Sequence, residues 1–180
     1  MILTPSLRKL ALTTHVIFSI GWIGAVLVFL ALAATGLTSQ EEGLVRAVYL
    51  VMDLITWWVI VPLALGGFLT GIISSIGTRW GLFQYYWVVI KLVLTLLSTI
   101  VLMIHTQPIG QLSVAAASSA PFGATLQKTQ LQMVIASGAA LLVLIVLTVL
   151  SVYKPRGLTR YGQRKQRKDI ETLTIRPAAH

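Results

Sequence analysis

Charge is distributed along this chain as punctuation, and the spacing of that punctuation constrains the fold more than any motif. Residues 10–40 carry no charge for 31 positions, and residues 54–78 for 25. Residues 92–127 are uncharged for 36 positions, and residues 129–153 for another 25. A membrane-spanning helix needs about 20 mostly apolar residues. Each stretch is therefore long enough for one crossing and too short for two. The spacing predicts spans near Leu10–Leu37, Asp53–Ile76, Tyr86–Thr106 and Leu131–Tyr153. The expected fold is all-α, an antiparallel four-transmembrane-helix bundle over 1–153, followed by a basic tail over 154–180.

Composition agrees. Hydrophobic residues make up 56% and charged residues 11% of the 180, against about 25% charged in ordinary soluble domains. The chain has no cysteine, which excludes disulfides, thiol nucleophiles and cysteine-ligated metal clusters. No Ser/His/Asp nucleophile system, P-loop or dinucleotide glycine motif occurs. Arg8 and Lys9 precede the first span and "ALAA" (31–34) has the look of a cleavage site. The apolar run nevertheless exceeds a signal core of about 7–15 residues, so it reads as uncleaved.

Lys and Arg set the orientation. Four spans put both termini on one side. That side holds Arg8, Lys9, Arg79, Lys154, Arg156, Arg160, Arg164, Lys165, Arg167, Lys168 and Arg176, eleven against Arg46 and Lys128 on the other. Both termini are thus expected in the cytoplasm. The net charge of +9 is mostly a property of the tail. A basic segment directly after a span suits anionic lipid, at about 1 kcal/mol per Lys or Arg near the surface, and nucleic acid is not the expected partner. The alternative reading of the same tail is a topology anchor with a disordered end.

Gly43–Leu54 reads as an amphipathic turn leading into the second span. From Leu44 to Gly77 a continuous helix would measure about 50 Å, more than a hydrocarbon core of about 30 Å. A protruding end, a bend at Pro62, or both should follow. The loop Gln107–Gln130 can hold a short surface helix near Gln111–Ala120. Gly67 with Gly71, Gly21 with Ala25, and Ala136, Gly138, Ala139 and Ala140 are small-residue sites that let helices approach. They serve a bundle or a homo-oligomer equally well.

Ionisable groups inside a membrane default to function. His15, Asp53, Lys91 and His105 are the candidates. His15 lies five residues past Leu10 and Lys91 five past Tyr86, so both sit about 8 Å into the inner half. Trp87, Lys91, Thr95, Ser98 and His105 share one face of the third span, and His15, Ser19 and Trp22 one face of the first. The two stripes should face each other. His15 and His105 differ in depth by about 21 Å, too far to clamp one iron. At the inner site His15 can ligate haem, with Lys91 pairing a propionate or ligating if deprotonated. Otherwise His15 bonds a neighbouring helix and Lys91 snorkels to the surface. At the outer site His105 shares its level with Met52, Met103, Met133 and Asp53. Thioether with imidazole suits copper(I) or haem. The alternative is ordinary methionine packing, with Asp53 paired to His105 or Arg46.

"LRKLALTTHVIFSIGWIGAV", "WWVIVPLALGGFLTG", "WGLFQYYWVVIKLVLTLLSTIVLMIHTQP" and "VYKPRGLTRYG" resemble, over nearly the whole chain, a family of bacterial integral membrane proteins catalogued as a domain of unknown function. More distantly, His15, Trp22 and Gly24, then Trp87, Lys91, Leu92 and His105, are similar to the pattern of CopD-like copper-resistance proteins and HemJ-type protoporphyrinogen oxidases. The resemblance implies a place in the bacterial cytoplasmic membrane. It also implies a cofactor site, haem b in a redox or porphyrin-handling role, or copper. The chain departs from the HemJ type at "LVFLALAATGL", where that family has a Tyr/Pro/Arg/His-rich segment. A non-catalytic role as accessory subunit of a larger membrane complex suits the small loops.

Overall fold

The structure is a computed structural model that describes residues 4–77, 81–118, 124–155 and 157–175. It is all-α: α1 (Pro5–Thr38), α2 (Glu42–Ile55), a π-helical turn (Thr56–Ile60), α3 (Val61–Gly77), α4 (Tyr86–Ala117), α5 (Ala124–Tyr153) and α6 (Arg160–Ile175). Four helical stretches are long and apolar enough to cross a membrane, as the charge spacing predicted. The chain is a multi-pass membrane protein by length and composition.

Local chemistry places the helix ends. The Thr4 side chain accepts from the Leu7 backbone N–H, and Pro5 opens α1, where its missing N–H costs nothing. The second crossing runs as one helical stretch from Glu42 to Gly77, with a π-helical turn just ahead of Pro62, where a bend was expected. Pro62 lacks the N–H that would bond the carbonyl four residues back, and its ring crowds that carbonyl. The helix widens at Thr56–Ile60 instead, where the Val61 N–H donates to the Thr56 carbonyl five residues back. At the far end Arg46 bonds the carbonyls of Ala115, Ala116 and Ser118. These belong to the last turn of α4, whose carbonyls have no partner within the helix.

Two expectations are corrected. The third long helix does not end near Thr106. α4 continues through Pro108 to Ala117, so no separate surface helix begins at Gln111; Ser119 and Ala120 lie outside the described residues. The tail is not a disordered end up to Ile175, because α6 forms there. It docks on the α3–α4 connection. Thr159 N–H donates to the Gln84 carbonyl at 2.9 Å, Tyr86 N–H donates to the Gly157 carbonyl at 3.2 Å, and Tyr85 pairs with Leu158. Arg79, Arg156 and Arg176 lie outside the described residues.

α1 packs on α3 and α5, α4 packs on the same two helices, and α2 bridges α1 and α4. α1 and α4 are therefore diagonal partners across the half of the bundle nearer the termini. The core runs through Trp22, Val26, Phe29, Ala33, Tyr49, Met52, Leu112, Met133 and Leu144. Only 17–22% of the most apolar window of each crossing is buried, so the outer surface is itself apolar and suited to lipid. Among the small-residue sites, Gly21 lies under Leu63, and a methyl on Gly71 would meet the His15 ring, whereas Gly138 faces open space.

Candidate functional site

The diagonal arrangement leaves room between α1 and α4 near the terminal end. His15, Ser19 and Trp22 of α1, Lys91 and Thr95 of α4, Gly67 of α3, and Thr148 and Ser151 of α5 all line that space. Imidazole and amine thus share one pocket, each contributed by the face that its polar stripe marked. The enclosed volume is about 60 Å³, room for roughly two waters at about 30 Å³ each.

His15 is held by α3. Its Nδ1 lies 3.1 Å from the Gly67 carbonyl and 3.2 Å from Thr70 Oγ1. Thr70 directs its own proton to the Gly66 carbonyl at 2.6 Å. Both neighbours of Nδ1 are therefore acceptors, which assigns the proton to Nδ1 and leaves a lone pair on Nε2. The ring fits because residue 71 is glycine: an added Cβ would stand 3.1 Å from its Cε1. Gly66 plays the same part for Phe18, whose ring lies 2.5–2.8 Å from where a Cβ would be. Ser19 turns its hydroxyl back to the His15 carbonyl at 2.8 Å.

Lys91 is held by α5. Its Nζ donates to Ser151 Oγ at 2.5 Å, and Ser151 donates in turn to the Leu147 carbonyl at 2.7 Å. The ammonium also stands 6.0 Å from the Trp87 ring centroid, the outer limit of a cation–π contact. Lys91 therefore does not snorkel away from the bundle. Among the described side chains no carboxylate lines this pocket, which presents a cation, an imidazole and hydroxyls.

The stripes missed half of the site. Gly67 and Gly71 mark helix contacts in the sequence, and spacing along the first and third spans does not reach Thr70, Thr148 or Ser151 on the flanking helices. A signal existed: Thr148 and Ser151 sit one turn apart near the end of the last span, at the level of Lys91. Ser98, by contrast, does not line the pocket.

The distal layer is arranged differently. Met52 and Met133 are both 1% exposed and belong to the core. Met103 lies outside that core cluster, and His105 Nδ1 donates to the Val101 carbonyl of its own helix at 2.9 Å. Arg46 pairs with Glu42 and not with Asp53. Among the described residues no three His, Asp or Glu side chains gather as a metal cluster. No family model, curated protein or solved structure matches the chain.

Proposed function

We propose that the pocket between α1 and α4 is a haem b site, in a membrane protein with a redox or porphyrin-handling role. One observation carries the reading. His15 has its Nδ1–H committed to the Gly67 carbonyl at 3.1 Å, the arrangement that fixes an imidazole for ligation through Nε2 and raises its basicity. Lys91 supplies a cation without an acidic partner, suited to a propionate. When bound, haem supplies one-electron chemistry, tuned by the axial ligand and by burial. The donors fit the group. The enclosed 60 Å³ does not hold a macrocycle, so occupancy requires the diagonal pair α1 and α4 to part. The experiment is an absorption spectrum of the purified protein after haem reconstitution. A Soret band that His15→Ala removes and Lys91→Met shifts or weakens is expected, and absence of any band rejects the reading.

Copper at the distal layer is the second reading, favoured by the burial of both Met52 and Met133 in one core cluster. Copper(I) content that falls with His105→Ala and Met103→Leu supports it, and content unmoved by either rejects it. We also infer that both termini lie on the cytoplasmic side of a bacterial cytoplasmic membrane, because eleven basic residues stand against two. Reporter fusions active only at the cytoplasmic face should report both ends alike.

A further inference from the structure

The second concavity of the molecule lies on its outward surface in the distal half, away from the pocket. Leu50, Asp53 and Leu54 of α2, Trp57 and Trp58 of the π-helical turn, and Ser113 of α4 line a groove of about 630 Å³. That is within the usual range of small-ligand sites, about 300–1,000 Å³. Leu50, Asp53, Leu54, Trp57 and Trp58 follow i, i+3, i+4, i+7 and i+8 spacing, so one face of the crossing carries all five. Trp58 is 78% exposed and Trp57 51%, so two indoles stand open beside the carboxylate. Among the described residues, no hydrogen bond or ion pair engages the Asp53 carboxylate.

Charge narrows the occupant. With the span Asp53–Ile76 centred on the bilayer midplane, Asp53 stands about 17 Å from that plane at 1.5 Å per residue, at the membrane boundary. The hydrocarbon half-thickness is about 15 Å. A carboxylate there, with no bonded partner among the described residues, attracts a cation. Indole faces attract cations, quaternary ammonium groups above all. An anion would meet the carboxylate's repulsion.

We propose that the Asp53–Trp57–Trp58 groove binds a free lipophilic organic cation that has partitioned into the bilayer, with a protonated or quaternary nitrogen or a phosphonium on an apolar body. The carboxylate supplies charge, the indoles supply π faces and apolar contact, and Leu50 and Leu54 cover the apolar body. The site is separate from the His15–Lys91 pocket and does not depend on haem.

The test uses the full chain in phosphatidylglycerol nanodiscs, with empty nanodiscs as baseline. The probe is tetraphenylphosphonium, and tetraphenylborate is the counterpart of the same shape and opposite charge. Saturable phosphonium binding with tryptophan quenching is expected, weakened about tenfold or more by Asp53→Asn, a loss of at least about 1.4 kcal/mol. Trp58→Leu, at a position too exposed to disturb folding, should weaken it severalfold. Wild-type affinity in both variants overturns the proposal, as does equal saturable binding of tetraphenylborate or no saturable phosphonium binding. Adding phosphatidylethanolamine should leave the affinity unchanged; competition by that lipid overturns the assignment to a free cation.

Discussion

The two concavities of this protein handle a charge inside a membrane in opposite ways. The pocket near the termini is small, enclosed and cationic, and four helices build it. The distal groove is about ten times larger in volume, open, aromatic and anionic, and is built from one crossing with a single serine from α4. Lys91 is tied to the bundle through Ser151, whereas Asp53 is tied to nothing among the described residues. The lesson is that an intramembrane charge can be part of the packing or independent of it. Mutation should separate the two, because removing a bonded partner strands a buried group while removing an unbonded group strands none.

The largest stability effect is expected at the pocket wall. Gly71→Leu would press on the His15 ring, already 3.1 Å from an added Cβ, and should cost about 1–3 kcal/mol by overpacking, read by unfolding in mixed detergent. A near-neutral result would mean that the ring is free to move and that Nδ1 is not anchored. Next comes Ser151→Ala, which removes the acceptor of the Lys91 ammonium. A loss of about 1–3 kcal/mol is expected, with Ser151→Thr restoring most of it. If Ser151→Ala is harmless, Lys91 finds water instead and the contrast with Asp53 disappears. Smallest is Asp53→Asn, expected within about 0.5 kcal/mol of wild type, as for a surface substitution that breaks no contact. A large loss there would reveal a structural partner and remove the reason to expect a ligand.

Legibility differed between regions in the same physical way. Trp87, Lys91 and Thr95 could be placed on one face from spacing alone, since residues three and four apart stack on a helix. His15 and Lys91 could be placed at one depth, since rise per residue is fixed. Ser98 follows the same spacing, yet it lies beyond the pocket, because periodicity gives direction and not where a cavity closes. Ser151 and Gly67 are legible only once α3 and α5 are known to flank the diagonal pair. The docked tail escaped for a similar reason: α6 is too polar for a hydrophobic pattern, and its approach is fixed by backbone bonds to Gln84 and Tyr86. The extension of α4 to Ala117 escaped because Pro108 normally argues for a stop.

The chain's own order of residues determined that four stretches are long and apolar enough to cross a membrane and which faces of them are polar. Those quantities are sums over local transfer and helical geometry, and need no knowledge of neighbours. Only the tertiary structure decided that α1 and α4 stand diagonally, that the Gly67 carbonyl of α3 receives the His15 Nδ1–H and that Ser151 of α5 holds Lys91. These depend on which helices touch, interactions between residues far apart in the chain that side-chain pattern does not encode.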